Sequence, residues 1–234
     1  MAVFVVDEST HQREITLSPS TPSPILSRLR TETRREHEAV EQVLDLMSIS
    51  LTRDGYRQRL EQFYGFYAPL EKALSAHGER QHGIASEPNL SMGTRAAMAS
   101  RLNKTALLKL DLHHLGGGTQ NIPLCYNLPP LETQAEVLGC VYVMEGATLG
   151  GRMITQHIQA TLGITPATGG SFFNGYGDDT GKMWQTMRQL LVSGAANTET
   201  ENIIVASAIA TFACLRRWCQ LSQQQPTPKI AHHG

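Results

Sequence analysis

The sequence predicts an all-α fold, a single-domain multi-helix bundle of about six to eight helices. Apolar residues recur at intervals of three and four along several segments, which is the period of one helix face. Pairs of threonine and glutamate three residues apart, the pattern of a capping box, precede two of these segments. No segment shows the sustained alternation of apolar and polar residues that is typical of a β-strand, since Ala2–Val6 is too short.

The first two predicted helices have the clearest apolar faces. The first begins near Pro24, because proline is favoured in the first turn of a helix, and its apolar positions extend from Leu26 to Met47. His37 lies on this same face. The second helix follows Asp54 and has the strongest helical period in the chain, with apolar side chains at Tyr56, Leu60, Phe63, Tyr67, Leu70 and Leu74.

The next two helices are bounded by glycine-rich or proline-rich breaks. The third is predicted from about Thr94 to Leu112 and ends at three consecutive glycines, Gly116–Gly118. The fourth follows the capping box formed by Thr133 and Glu136. A short fifth helix is predicted over Gly181–Leu191. The last extends from a second capping box, Thr198 with Glu201, to about Leu221.

Composition limits the chain to one domain with tails. We expect a disordered N-terminal tail over 1–24, which is dense in proline and serine, a helical domain over 25–222, and a flexible C-terminal tail over 223–234. The net charge of −1 argues against nucleic acid or an anionic membrane as the main partner. Neither a signal peptide nor an apolar run near the roughly 18 residues of a membrane span is expected. The cysteines show no C-x-x-C pair, so we expect reduced thiols in a cytoplasmic protein.

Glycines interrupt the fourth helix along one narrow stripe. At about 100° per residue, Gly139, Gly146 and Gly150 share this stripe. Each costs the helix about 0.5–1 kcal/mol relative to alanine, so a close approach to the backbone is expected there. Gly150 with Gly151 also forms a pair at which a helix can kink. Taken alone, the stripe favours close packing of another helix over binding of a flat ligand.

His37 is the candidate metal ligand. A histidine on an apolar helix face is more often a hydrogen-bonded core residue than a ligand, but Arg30 and Arg34 lie on the preceding turns. These cations suit the anionic substituents of a flat ligand whose metal His37 would bind, with the glycine stripe as the second wall. Heme is such a ligand, and one histidine is its usual proximal ligand in proteins that handle oxygen. Glu41, one turn later, is a candidate partner for the second ring nitrogen.

Other chemistries have weaker support in the sequence. It contains no phosphate loop and no G-x-S-x-G motif. A di-iron centre in a helix bundle needs two Glu-x-x-His motifs. Glu79 with His82 fits this spacing within the predicted helical domain, and Asp111 with His114 is a poorer second. No electropositive partner marks any cysteine as a nucleophile.

Two long motifs resemble those of a known family. The kinked distal helix of heme oxygenases resembles the segment 138–151, LGCVYVMEGATLGG. Their proximal helix is similar to the segment containing Leu29, Arg30, Thr33, His37 and Glu41. Shorter matches lie at 111–116 and 172–177, followed by Trp184. The resemblance covers about residues 25–220 and is closest to the bacterial branch associated with bacteriophytochromes and heme acquisition.

The resemblance implies roles for individual residues. It makes His37 the proximal iron ligand, and it places Gly146, Gly150 and Gly151 on the distal side, where backbone approaches dioxygen. The candidate heme-binding residues are Arg30, Arg34, Tyr142, Lys182 and Arg188. One departure is Ala147, because many family members have an aspartate there that holds ordered water. A proton relay must then use backbone groups, water or another side chain.

The activity that the resemblance implies is the opening of heme, as both substrate and cofactor, to biliverdin, carbon monoxide and ferrous iron. It needs O2 and an external electron donor, a ferredoxin or a flavin-type reductase, and a photoreceptor that uses biliverdin is a candidate consumer of the product. We expect a monomer. A non-catalytic heme carrier or sensor of the same fold stays open because of Ala147. A non-heme member of the fold, such as a thiaminase-like hydrolase or a di-iron oxidase, is a further alternative.

Overall fold

The computed structural model describes residues 24–81 and 100–224, and these residues are largely helical. The helices are α1 (Pro24–Glu32), α2 (Arg34–Leu44), α3 (Arg53–Gln81), α4 (Lys104–His114), α5 (Gln134–Leu162), α6 (Ser171–Asn174), α7 (Thr180–Gly194) and α8 (Thr198–Gln224). The two described ranges contain no strand, and the all-α prediction is confirmed. Residues 1–23 and 225–234 of the predicted tails, and the predicted start of the third helix near Thr94, lie outside the described residues.

Helices α5 and α8 pack along each other at the centre of the fold. Helices α1 and α2 cover α8, while α6 and α7 pack against α5 and α4 packs against α3. By length and composition alone, the Thr198–Ser222 part of α8 is long and apolar enough to cross a membrane. Half of its most apolar stretch is buried within the fold. This burial is typical of a core helix in a soluble protein.

The first predicted helix is divided at Thr33, so the prediction of one continuous helix was wrong. The buried Thr33 hydroxyl donates a hydrogen bond to the Leu29 carbonyl at 2.6 Å. A threonine that bonds back to the carbonyl four residues earlier tends to bend a helix, which accounts for the division. Helix α2, which carries His37, therefore has a direction of its own.

Helix α4 begins at Lys104, after a turn over residues 100–103, and not within the continuous helix predicted from Thr94. The start is fixed by Glu71 of α3, whose carboxylate accepts hydrogen bonds from the N–H groups of Lys104 at 2.7 Å and Thr105 at 3.2 Å. Because this cap comes from another helix, no local sequence pattern predicts it. The predicted glycine end is observed, because Gly116 follows the helix with φ of +74°.

The two predicted capping boxes had different outcomes. The box before α5 is confirmed, with the Thr133 side chain accepting from the Glu136 N–H at 3.2 Å and the reciprocal bond also present. The box before α8 was wrong. Asn197 caps that helix, since its side-chain oxygen accepts from the Thr200 N–H at 2.9 Å, and Thr198 is already helical.

Helix α6 is a single turn held by its neighbours. Its phenylalanines pack on Phe63 of α3, with ring centroids 5.1 Å away for Phe172 and 5.6 Å away for Phe173. Asp111 of α4 accepts hydrogen bonds from the N–H groups of Ser171 at 2.9 Å and Phe172 at 2.7 Å. The carboxylate that the sequence offered as a weak di-iron ligand therefore caps a helix.

Candidate functional site

His37 lies on α2 with its ring against α8. Its imidazole meets the Phe212 ring edge-on, with centroids 5.2 Å apart and an interplanar angle of 85°. Burial lowers the pKa of His37 to about 4, although the negative charge of Glu38 acts in the opposite direction. The imidazole is therefore neutral at pH 7, and neutral imidazole is the form that binds metal ions.

The glycines of α5 have two kinds of surroundings. A Cβ atom at Gly139 would lie 2.9 Å from the backbone nitrogen of Ala208 on α8. One at Gly151 would overlap the backbone of Phe173 on α6. At Gly146, by contrast, a Cβ atom would meet no atom of the described residues within 4 Å. Close helix packing thus explains Gly139 and Gly151, while Gly146 exposes its backbone to open space.

These surroundings predict opposite effects for two identical substitutions. Gly139→Ala is expected to lower the free energy of unfolding by about 1–3 kcal/mol, because the added methyl overlaps α8. Gly146→Ala is expected to raise it by roughly 0.5–1 kcal/mol, because the methyl meets open space and alanine favours the helix. Denaturant unfolding followed by far-UV circular dichroism measures both changes. Equal losses in the two variants would argue against the distinction.

Tyr142 connects α5 to the helices that lead to His37. The side chain of Thr33 lies close enough to Tyr142 to act on its pKa. Burial raises the pKa of Tyr142, while Thr33 and the nearby charge of Arg30 lower it. Tyr142 precedes Gly146 by four residues, and Thr33 precedes His37 by four. Gly146 on α5 therefore lies about one helical turn from Tyr142, and His37 on α2 lies about one helical turn from Thr33.

A buried ionic cluster, formed by Glu145, Arg101, Lys104, Tyr176 and Thr148, lies on another face of α5. One oxygen of the Glu145 carboxylate pairs with Arg101. The other accepts from the Tyr176 hydroxyl at 2.9 Å and lies 3.5 Å from the Lys104 ammonium. Lys104 also donates to the Thr148 hydroxyl. The three charged side chains are only 1–3% exposed, so water contributes little to their solvation.

Lys104 and Tyr176 of the Glu145 cluster also contact each other. The Lys104 ammonium lies 4.2 Å from the centre of the Tyr176 ring. Burial lowers the pKa of Lys104, and Glu145 opposes that shift. Tyr176 stands between Gly175 and Gly177, whose φ angles of +55° and +57° are in the left-handed region that favours glycine. No local pattern indicated Arg101 as the partner of Glu145, because the two residues are 44 positions apart in the chain.

Comparison with known families identifies the architecture around these residues. The sequence profile described as heme oxygenase matches residues 23–221, which include every described helix except the last turn of α8. The chain belongs to the heme oxygenase family. A search of the curated proteins finds no match to the sequence.

Solved structures of heme oxygenases have the same fold. The NO- and CO-bound heme oxygenase from Neisseria meningitidis superposes with a TM-score of 0.65 at 18% identity, covering 90% of this chain and 97% of that one. Heme oxygenase 2 from Chlamydomonas reinhardtii, without heme, gives 0.65 at 18%, covering 87% and 100%. Heme oxygenase-2 from Synechocystis sp. PCC 6803, in complex with heme and NO, gives 0.62 at 19%, covering 85% of each chain.

The two arginines predicted to bind heme differ in their surroundings. Arg30 is exposed, and its charge acts on Tyr142, so the structure brings these two predicted residues together. Arg34 is 74% exposed and forms an ion pair with Glu38 at 2.8 Å. It is thus engaged on the outer face of α2. The heme-binding roles of both arginines stay predictions.

The remaining predicted site residues of the heme oxygenase lie on α7 and α5. The Trp184 ring of α7 lies 5.9 Å from the ring of Tyr142, which places α7 beside the same region. Lys182, in the first turn of α7, is exposed, and Arg188 is half-buried. Gly150 is also half-buried. The distal roles of Gly150 and Gly151 stay predictions, and Gly146 has the open surface that such a role requires.

The di-iron alternative finds no ligand set in the part of the chain that the structure describes. Within those residues, no group of three or more histidine, cysteine, aspartate or glutamate side chains could hold a metal ion. His82, which completes the Glu79 motif, lies outside the described residues. The four cysteines are buried and free of disulfide bonds, as expected from the sequence.

Proposed function

We propose that this chain is an active heme oxygenase that opens heme with O2 and electrons from an external reductant, giving biliverdin, carbon monoxide and ferrous iron. The observation that carries the proposal is that a neutral His37 and an open Gly146 each lie about one helical turn from a member of the neighbouring pair Thr33 and Tyr142. Membership of the heme oxygenase family supports heme as the molecule bound.

The residues present fit heme. The low pKa of His37 provides a neutral imidazole for iron on one side. A flat ligand can approach the α5 backbone at Gly146, where even a methyl group would find no neighbour among the described residues. Arg30 and Tyr142 supply a cation and a hydroxyl beside this region for anionic substituents of the ring.

In the proposed mechanism, heme supplies the oxygen chemistry when it is bound and reduced, and the protein supplies orientation. His37 would hold the heme iron. The α5 backbone at Gly146 would lie beside the ring and help to position the reacting atoms. Ala147 has no group that carries a proton. A proton relay would therefore use backbone groups, water or another side chain near Gly146.

The proposal extends to the setting of the reaction. A ferredoxin or a flavin-type reductase would donate electrons, and a photoreceptor that uses biliverdin would be one consumer of the product. Four free cysteines suit a reducing compartment, and we propose a cytoplasmic monomer. The half-buried α8 supports a protein that does not span a membrane.

Titration of the purified protein with hemin, followed by a reductase system and O2, tests the proposal. We expect a Soret band at equimolar hemin, which then declines as bile pigment forms. Gly146→Leu is expected to reduce pigment formation at least about tenfold with little change in helical content, because its side chain enters the open space. Gly78→Leu is the matched control, since Gly78 on α3 also has no described neighbour within 4 Å and should retain activity.

The same experiment distinguishes an active heme oxygenase from a non-catalytic heme carrier or sensor, the alternative that Ala147 favours. A methyl group at this position cannot hold ordered water, which suits a heme carrier or sensor. A Soret band that persists under reductant and O2 without pigment would favour that carrier. Absence of a Soret band would refute heme binding itself, and full activity of Gly146→Leu would refute the distal assignment.

A further inference from the structure

Two thiols lie together outside the candidate heme site. The Cys214 sulfur donates to the Asn127 carbonyl oxygen at 2.8 Å, and the Cys125 sulfur donates to the same oxygen at 3.7 Å. The two thiols are also close enough for each to shift the pKa of the other. They come from different elements, because Cys214 belongs to α8 and Cys125 to the segment between α4 and α5.

The two sulfurs differ in reactivity. The neighbouring Cys214 thiol and the positive charge of Arg217 lower the pKa of Cys125, although burial opposes this shift. The contact with Cys125 and burial raise the pKa of Cys214. The thiolate is the nucleophilic form of cysteine, so Cys125 is the sulfur that reacts first and Cys214 is placed to react with the product.

Cys125 is also the more accessible of the buried thiols to a small oxidant. It is 5% exposed but stands next to Tyr126, which is 89% exposed, in a segment without helix. Such segments open locally at a lower free energy than helices in the core. Cys140 and Cys219 lie within α5 and α8 at 0% exposure, and burial raises the pKa of each to about 12.

We propose that Cys125 and Cys214 form a reversible disulfide on exposure to hydrogen peroxide, which makes this pair a redox-modification site. The Cys125 thiolate attacks one peroxide oxygen, and the O–O bond breaks to give a sulfenic acid and hydroxide. The Cys214 sulfur then attacks the sulfenic sulfur and displaces its oxygen as water, taking up the Cys214 proton. Hydroxide takes the proton released by Cys125 and becomes the second water. The two sulfurs lose two electrons, which the peroxide oxygens gain.

Oxidation would change the local structure because it removes both S–H donors from the Asn127 carbonyl. That carbonyl must find another donor, so the segment around it must move. Trp218 is a natural reporter, one turn after Cys214. Its indole N–H donates to the Gln62 carbonyl at 2.8 Å, and its ring packs on Gly65, whose carbonyl accepts from the Cys125 N–H at 2.9 Å. This inference goes beyond the proposed function and does not rest on it.

Treatment of the heme-free full chain with hydrogen peroxide tests the proposal. We expect the titratable thiols to fall from four to two, with non-reducing peptide mapping showing a Cys125–Cys214 bond. Dithiothreitol should restore all four. The rate should rise with pH as the thiolate of Cys125 increases. In a Trp184→Phe background, the fluorescence of Trp218 should change on oxidation and recover on reduction.

Serine variants provide the controls, since a hydroxyl keeps a donor for the Asn127 carbonyl. Cys125→Ser should form no disulfide, and Cys214→Ser should leave Cys125 as a sulfenic acid that dimedone traps. Cys140→Ser and Cys219→Ser should form the bond as the unsubstituted protein does. Retention of four thiols by the folded chain, a mapped bond between any other pair, or a disulfide in Cys125→Ser would overturn the proposal.

Discussion

Glu145→Gln is expected to lower the free energy of unfolding by about 3–5 kcal/mol, the usual effect of removing one partner from a buried ion pair. The substitution keeps the shape of the side chain and removes its charge. Arg101 and Lys104, at 1% and 3% side-chain exposure, then lose the carboxylate with which both are paired, and only the charge of Glu71 still acts on Lys104. Denaturant unfolding at neutral pH measures the loss.

Two further variants identify the cause of that loss. Glu38→Gln removes the same charge from the exposed pair with Arg34 and should have a far smaller effect, because solvent screens that pair. A triple variant, Glu145→Leu with Arg101→Met and Lys104→Met, removes the three charges of the Glu145 cluster and should recover much of the lost stability. Similar losses for Glu145→Gln and Glu38→Gln would show that burial does not set the energy of the cluster.

His37→Ala is expected to abolish the Soret band of histidine-bound heme and to reduce pigment formation to the level of hemin without protein. The reason is that the neutral imidazole is the proposed iron ligand. Far-UV circular dichroism should change little, since His37 is half-buried and α2 keeps its buried positions Val40 and Leu44. Added imidazole should restore part of the Soret band if only the ligand is missing.

His157→Ala is the matched control, because His157 shares the helical stripe of the α5 glycines in the sequence. Its Nε2 atom lies 3.1 Å from the Ser48 carbonyl, so it already has a structural partner. We expect this variant to bind heme as the unsubstituted protein does. An unchanged Soret band in His37→Ala, with loss of the band in His157→Ala, would transfer the ligand role to His157.

The sequence was sufficient for the fold class because most helices here follow local rules. The apolar period over α3 and the capping box of Thr133 with Glu136 are local patterns, and both are present in the structure. The misplaced ends depend on individual hydrogen bonds that the apolar period does not show. Glu71 of α3 starts α4, and the division at Thr33 depends on one hydroxyl bonding back to Leu29.

The candidate site was predictable in part, because His37 and Gly146 were singled out by the helix face and the glycine stripe. The sequence could not distinguish Gly139 from Gly146, since the two glycines are identical in a one-dimensional pattern. Only packing separates them, with α8 against Gly139 and open space at Gly146. The sequence did not indicate the Glu145 cluster, because nothing local connects Glu145 to Arg101.

The four-residue helix α6 has a consequence for the order in which the chain assembles. One helical turn does not persist alone, because nucleation costs more than its few hydrogen bonds return. Its cap, Asp111, is 60 residues earlier than Ser171, and its phenylalanines need the ring of Phe63. Helices α3 and α4 must therefore dock before α6 forms. Tyr176 lies just beyond α6, so its hydrogen bond to Glu145 belongs to the last steps of folding.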